Sequence, residues 1–133
     1  MPITCTYGDI DRLRDQVPGH TGPLTRLRTS TDVPSLVDRA RIMRFTRSVI
    51  AEVVEYEKVL IELLKKFGKP LDATGKRFAV DPAFQTEYDA EKAKLDSSPC
   101  EVATSKLPAA AYEKVALSVL DLEALEKFVE IPD

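Results

Sequence analysis

The amino-acid sequence predicts a mainly α-helical fold: a long helix over about residues 34–67 packed with a second helix as an antiparallel hairpin, then short C-terminal helices, with a minor β-hairpin or extended segments between them. Three observations predict it. Ile42, Phe45, Val49, Val53, Tyr56, Leu60, Leu63 and Phe67 recur every three or four residues, the spacing that lines one face of a helix. Gly68 and Pro70 stop that pattern, and Asp81-Pro82 starts a second one carried by Phe84, Tyr88 and Leu95. With 133 residues, 44% of them hydrophobic, the chain is long and apolar enough to bury one core, so a single domain over 1–133 is expected.

In chain order, residues 1–33 read as an extended, loop-rich segment. Ile3, Thr4 and Thr6 suit an extended lead-in, and Asp9 is a candidate cap for a short helix carrying Ile10, Leu13 and Val17 until Pro18-Gly19. A loop follows, with a turn expected around Leu24 to Leu27. Residues 34–97 form the helical pair. Asp32 two residues before Pro34 fits a cap followed by proline in the first turn, and Lys65 and Lys66 sit in the last turn, where cations suit the helix dipole. Residues 69–80 carry turn chemistry around Thr74-Gly75. Residues 98–133 read as an extended segment from Cys100 to Leu107, a helical turn opened by Pro108, and a last helix capped by Asp121 over Leu122 to Val129.

Beside the first apolar stripe runs a second: Leu36, Ala40, Met43, Ile50, Val54, Ile61 and Leu64, interrupted by Arg47 and Glu57. A helix over 34–67 is about 50 Å long at 1.5 Å per residue, whereas a domain of this size has a radius of gyration of about 14 Å. Such a helix must kink, or project and be covered by a second helix and by another subunit. The apolar surplus predicts a homo-oligomer or a subunit of a larger assembly.

The net charge of −3 gives no whole-protein case for nucleic acid or an anionic membrane. Its distribution is uneven: eight of the nine arginines lie in the first 50 residues, and all ten lysines come at or after Lys58. Arg41, Arg44 and Arg47 are read as a ridge on the long helix, open to solvent, to internal acids, to a carboxylate-rich partner or to phosphate. With Ile42, Phe45 and Val49 they form the candidate interface. No catalytic residues are expected: the single histidine, His20, stands in a Gly/Pro loop, and the chain has no phosphate-binding glycine loop or zinc-protease motif. Cys5 and Cys100 lack metal-ligand spacing and read as free thiols. Neither metal nor cofactor is expected, and no apolar run is long enough to span a membrane.

One resemblance adds to this reading. A long helix from Val33-Pro34 through Tyr56-Glu57 to Leu63-Leu64-Lys65-Lys66-Phe67-Gly68 is followed by a glycine turn, the segment Phe84-Gln85-x-Glu87, an extended stretch, and Leu120 to Glu130. The order resembles a family of small tailed-phage proteins of unknown function, from about residue 33 onward, with Val115 to Leu125 similar to the segment before that family's final helix. The resemblance implies a phage origin and a virion or assembly role, in the virion or the host cytoplasm, and carries no activity with it. Two alternatives stand beside it: a small inhibitor docking on a host protein through the acidic second half, and a weak DNA-binding regulator using the arginines.

Overall fold

Ile3 and Cys5 point inward and Thr4 outward, an alternation that forms strand β1 (Ile3–Thr6) in the computed structural model. The structure describes residues 2–14, 22–33, 35–71 and 78–131; the Pro18-Gly19 stop, His20, Pro34 and the Thr74-Gly75 turn lie outside them. Helix α1 (Tyr7–Asp11) follows β1 directly. Its cap is Thr6 and not Asp9: the Asp9 amide donates to Thr6 Oγ1 at 3.3 Å, and the Thr6 amide donates back to Asp9 Oδ2 at 2.9 Å. The reciprocal box satisfies two backbone donors, which Asp9 as the cap itself could not do.

Burial pushes the Asp9 carboxyl upward in pKa, but the bonds from Thr6 and from the Lys127 ammonium at 3.0 Å prevail and hold it below the usual carboxylate range. A depressed folded-state value means that the stabilisation is complete above the unfolded carboxylate pKa of about 4 and disappears as pH falls through the folded value. Asp9→Asn is expected to cost about 1 kcal/mol at pH 7, and the gap from the parent should shrink toward pH 3. Urea titrations at the two pH values measure it.

Helix α2 (Pro23–Thr29) buries Pro23, Leu24 and Leu27, so the expected turn is a full helical segment with proline at its start. Helix α3 (Leu36–Phe67) runs 32 residues without interruption, about 48 Å. Its cap is Ser35, whose Oγ accepts the Asp38 amide at 3.3 Å; Asp32 is too far upstream to reach the first-turn donors. Along α3, Ile42, Phe45, Thr46, Val49, Val53, Tyr56 and Leu60 are buried. The Thr46 hydroxyl donates to the Ile42 carbonyl at 2.8 Å and so enters the apolar stripe with its polarity satisfied.

Gly68 ends α3 where the backbone passes closest to its neighbours: a Cβ there would lie 2.5 Å from the Ala79 carbonyl oxygen and 2.6 Å from that of Leu64. The approach is close because strand β2 (Gly68–Pro70) pairs antiparallel with strand β3 (Phe78–Val80), Gly68 opposite Val80. The expected small hairpin is present, and it separates the two longest helices. Asp81 caps the next segment as expected, its Oδ1 accepting the Ala83 amide at 3.0 Å, and a 3-10 turn over Pro82–Phe84 leads into helix α4 (Gln85–Ser97).

Helix α4 buries no residue fully. It meets α3 through the Tyr56 hydroxyl, which donates to Asp96 at 2.7 Å, and Phe84 of the preceding 3-10 turn sets its ring against that of Phe67, centroids 6.3 Å apart and tilted. Strand β4 (Pro99–Val102) then pairs antiparallel with β1, placing Ile3 opposite Val102 and Cys5 opposite Cys100. Leu107 bridges to Val129, and the turn opened by Pro108 becomes helix α5 (Ala109–Tyr112). Helix α6 (Val119–Leu125) is capped by Ser118, with Asp121 completing a second reciprocal box, so the last helix starts three residues earlier than the sequence reading set it. The buried residues of all these elements form one cluster along the middle of α3.

Candidate protein-interaction surface

Helix α3 presents two apolar faces with different fates. The first stripe is interior through Leu60, and its last two members, Leu63 and Phe67, are half-buried. Ile42, Phe45 and Val49, expected at an interface, are buried in the chain's own core against the N-terminal segment and the segments after residue 100, because the N-terminal 33 residues supply Ile3, Ile10, Leu13, Leu24, Leu27 and Val33 as cover. Those three positions are therefore packing residues and take no direct part in a surface.

The second stripe is open. Leu36 is 78% exposed, Met43 51%, Val54 45% and Ile61 40%, while Ala40, Ile50 and Leu64 are half-buried. Large aliphatic side chains left this open along one helix are informative where a scattered single one would not be. Both interruptions of the stripe, Arg47 and Glu57, are exposed, and among the described residues neither has an ion-pair partner on its own chain.

The three arginines are all exposed but do not form one ridge. Steps of three residues turn a helix by 300°, so successive members fan away from each other. Arg41 and Arg44 line a shallow cleft with Phe45 and the segment from Thr104 to Pro108, and Arg41 pairs with Asp38 at 3.3 Å. Arg47 does not line that cleft and belongs with the open apolar stripe.

Away from α3's outer face, strand pairing brings the two cysteines together. Both are buried and unbridged, and the Cys100 thiol donates to Glu52 at 3.6 Å. Burial, then the neighbouring Cys5 and Glu52, push the Cys100 thiol up to about 12, and burial raises Cys5 as well. Thiolate is the reactive form, so both thiols should resist alkylation at pH 8 in the folded protein and react at once in denaturant, a contrast read by mass spectrometry. Rapid labelling of the native chain would contradict this burial. Tyr7 stacks on Tyr56 beside them, ring centroids 6.1 Å apart, and burial followed by the Asp96 bond raises the Tyr56 hydroxyl pKa. These groups brace the junction of β1, α1, α3 and α4.

Among the described residues, no three or more His, Cys, Asp or Glu side chains gather as they would around a metal ion, and no helix is long and apolar enough to cross a membrane. No family model matches the chain, and neither a curated protein nor a solved structure matches it. The open stripe on α3 gave a sequence signal; the cysteine pairing, which depends on strands far apart in the chain, gave none.

Proposed function

We propose that this chain is a non-enzymatic, phage-type protein that works by protein contact, as a structural or assembly component of the virion, and that α3 and α4 act as an antiparallel helical pair presenting the outer face of α3. The observation that carries the reading is the set of exposed aliphatic residues Leu36, Met43, Val54 and Ile61 along one side of α3. Burying such a face gains roughly 25 cal/mol per Å² of apolar surface removed from water, so a partner is the economical cover for it.

A second reading, a small inhibitor that docks on a bacterial protein, draws on α4, whose side chains are none of them fully buried and include Glu87, Asp89 and Glu91. Mass spectrometry of purified particles separates the two. The chain is expected in stoichiometric amount with other particle proteins. Its absence from particles, together with capture of one host protein that is lost on changing Glu87, Asp89 and Glu91 to Gln, would replace the first reading with the second.

A further inference from the structure

The open stripe has a finer order than amphipathicity requires. Leu36, Ala40, Met43, Arg47, Ile50, Val54, Glu57, Ile61 and Leu64 follow one another along α3 in alternating steps of four and three, without a break, six of them exposed and Ala40, Ile50 and Leu64 half-buried. A sustained seven-residue repeat of this kind is the pattern of a two-stranded coiled-coil seam. Ile50 and Leu64 lie at its inner edge, against the core, while Leu36, Met43, Arg47, Val54, Glu57 and Ile61 are exposed. An α-helix drifts by about 20° per heptad against such a repeat. That drift turns the C-terminal end of the stripe toward the inner face, where Leu64 packs against the core.

The two interruptions have opposite charge, and their positions select a register. Placing a second α3 antiparallel, with the two-fold axis at residue 52, sets Ala40 against Leu64, Met43 against Ile61, Ile50 against Val54, and Arg47 against Glu57. Sliding one helix by a heptad in either direction sets Arg47 against Ile50 or Leu64 and Glu57 against Ala40 or Val54. A parallel pairing is worse still, because it faces Arg47 with Arg47 and Glu57 with Glu57. Polar positions in a seam commonly act this way, fixing register and orientation at some cost in affinity. On the flank, Lys58 and Lys65 are matched by Glu55 at 3.1 Å and Glu62 at 3.8 Å of the same helix, while Arg39 and Arg44 are exposed beside the stripe.

We propose that the occupant of this face is a second copy of the chain, joined through α3 as an antiparallel coiled coil, with Arg47 of each protomer paired to Glu57 of the other. The inference rests on reading the outer face of α3 as an interaction surface and adds the identity, direction and register of the partner. By symmetry each dimer holds two such ion pairs, flanked by aliphatic layers that exclude water.

Sedimentation and light scattering of the full chain at tens of micromolar should give a dimer. Arg47→Glu or Glu57→Arg alone should weaken it roughly tenfold or more, and the double exchange should restore it, because only the facing pair is complementary. Both side chains are exposed in the single chain, so helicity by circular dichroism should not change. Under mild oxidation, a mixture of Met43→Cys and Ile61→Cys chains should cross-link, whereas Met43→Cys alone should not. A monomer at these concentrations, cross-linking of Met43→Cys with itself, or charge exchanges without effect would overturn the proposal. A monomer that still binds another particle protein, and loses it on Val54→Asp, would reject the second copy and keep the protein-contact reading. A dimer absent from particles would reject only the virion role.

Discussion

Phe45→Ala should bring the chain close to unfolding. Phe45 is among the largest side chains that are completely enclosed, in the middle of α3's inner stripe and within the cluster that includes Leu107 and Tyr112. Removing a buried phenyl ring loses its transfer free energy and leaves a cavity that the surrounding segments fill only in part, at a cost of about 3–5 kcal/mol. A domain of this size has roughly 5–15 kcal/mol in total. The urea midpoint should therefore collapse, and circular dichroism against denaturant will show it. Val59→Ala, on an exposed part of the same helix, is the matched control and should stay within about 0.5 kcal/mol of the parent. Equal effects at the two positions would mean that the inner stripe is misassigned.

Asp121→Ala should give the next largest loss, about 2 kcal/mol, by removing the carboxylate that both completes the α6 capping box and holds Arg26. The Asp121 amide donates to Ser118 Oγ at 3.1 Å, its carboxylate accepts the Ser118 amide at 3.0 Å, and the same carboxylate takes the Arg26 guanidinium from α2. The carboxylate is nearly enclosed while the Arg26 side chain remains 37% exposed, so water rehydrates the stranded arginine and the loss stays below that of a fully buried pair. Asp121→Asn keeps an acceptor for the Ser118 amide and removes the charge that faces Arg26. It should lose about half as much, and urea denaturation of the two variants separates the cap from the ion pair. If alanine and asparagine are equally costly, the side-chain bond from residue 121 to the Ser118 amide contributes nothing measurable.

The inner stripe of α3 was legible because helical periodicity is local: Ile42, Phe45, Val49, Val53, Tyr56 and Leu60 are all buried where the spacing put them. The paired strands after Gly68 and the turn after Pro108 were legible for the same reason. Three caps were misplaced by three residues each, two too late and one too early. Asp9 and Asp121 are each the fourth residue of a Thr-x-x-Asp or Ser-x-x-Asp box, and Ser35 displaced Asp32, because the hydroxyl residue next to the helix outcompetes an acid placed one turn away. The candidate site was half legible. The sequence showed a surplus of apolar positions on α3, but nothing local says which of two adjacent stripes the N-terminal segment will cover. That choice is made by Leu24, Leu27 and Val33, whose reach across the chain carries no periodic trace.

The pairing of β1 with β4 also governs when the molecule can become itself. Cys5 must wait for Cys100, and the enclosed Ile3 for Val102, so the sheet closes only after most of the polypeptide exists. On a ribosome adding about 5–20 residues per second, α3 emerges several seconds before the strand that seals its neighbours. During that interval the inner face of the rod has only the preceding N-terminal segment as cover and the outer face has none, and nascent chains on one polysome bring such rods near each other. Cotranslational self-association or chaperone capture is thus built into the order of synthesis, and contacts so distant along the polypeptide make final closure the slow event.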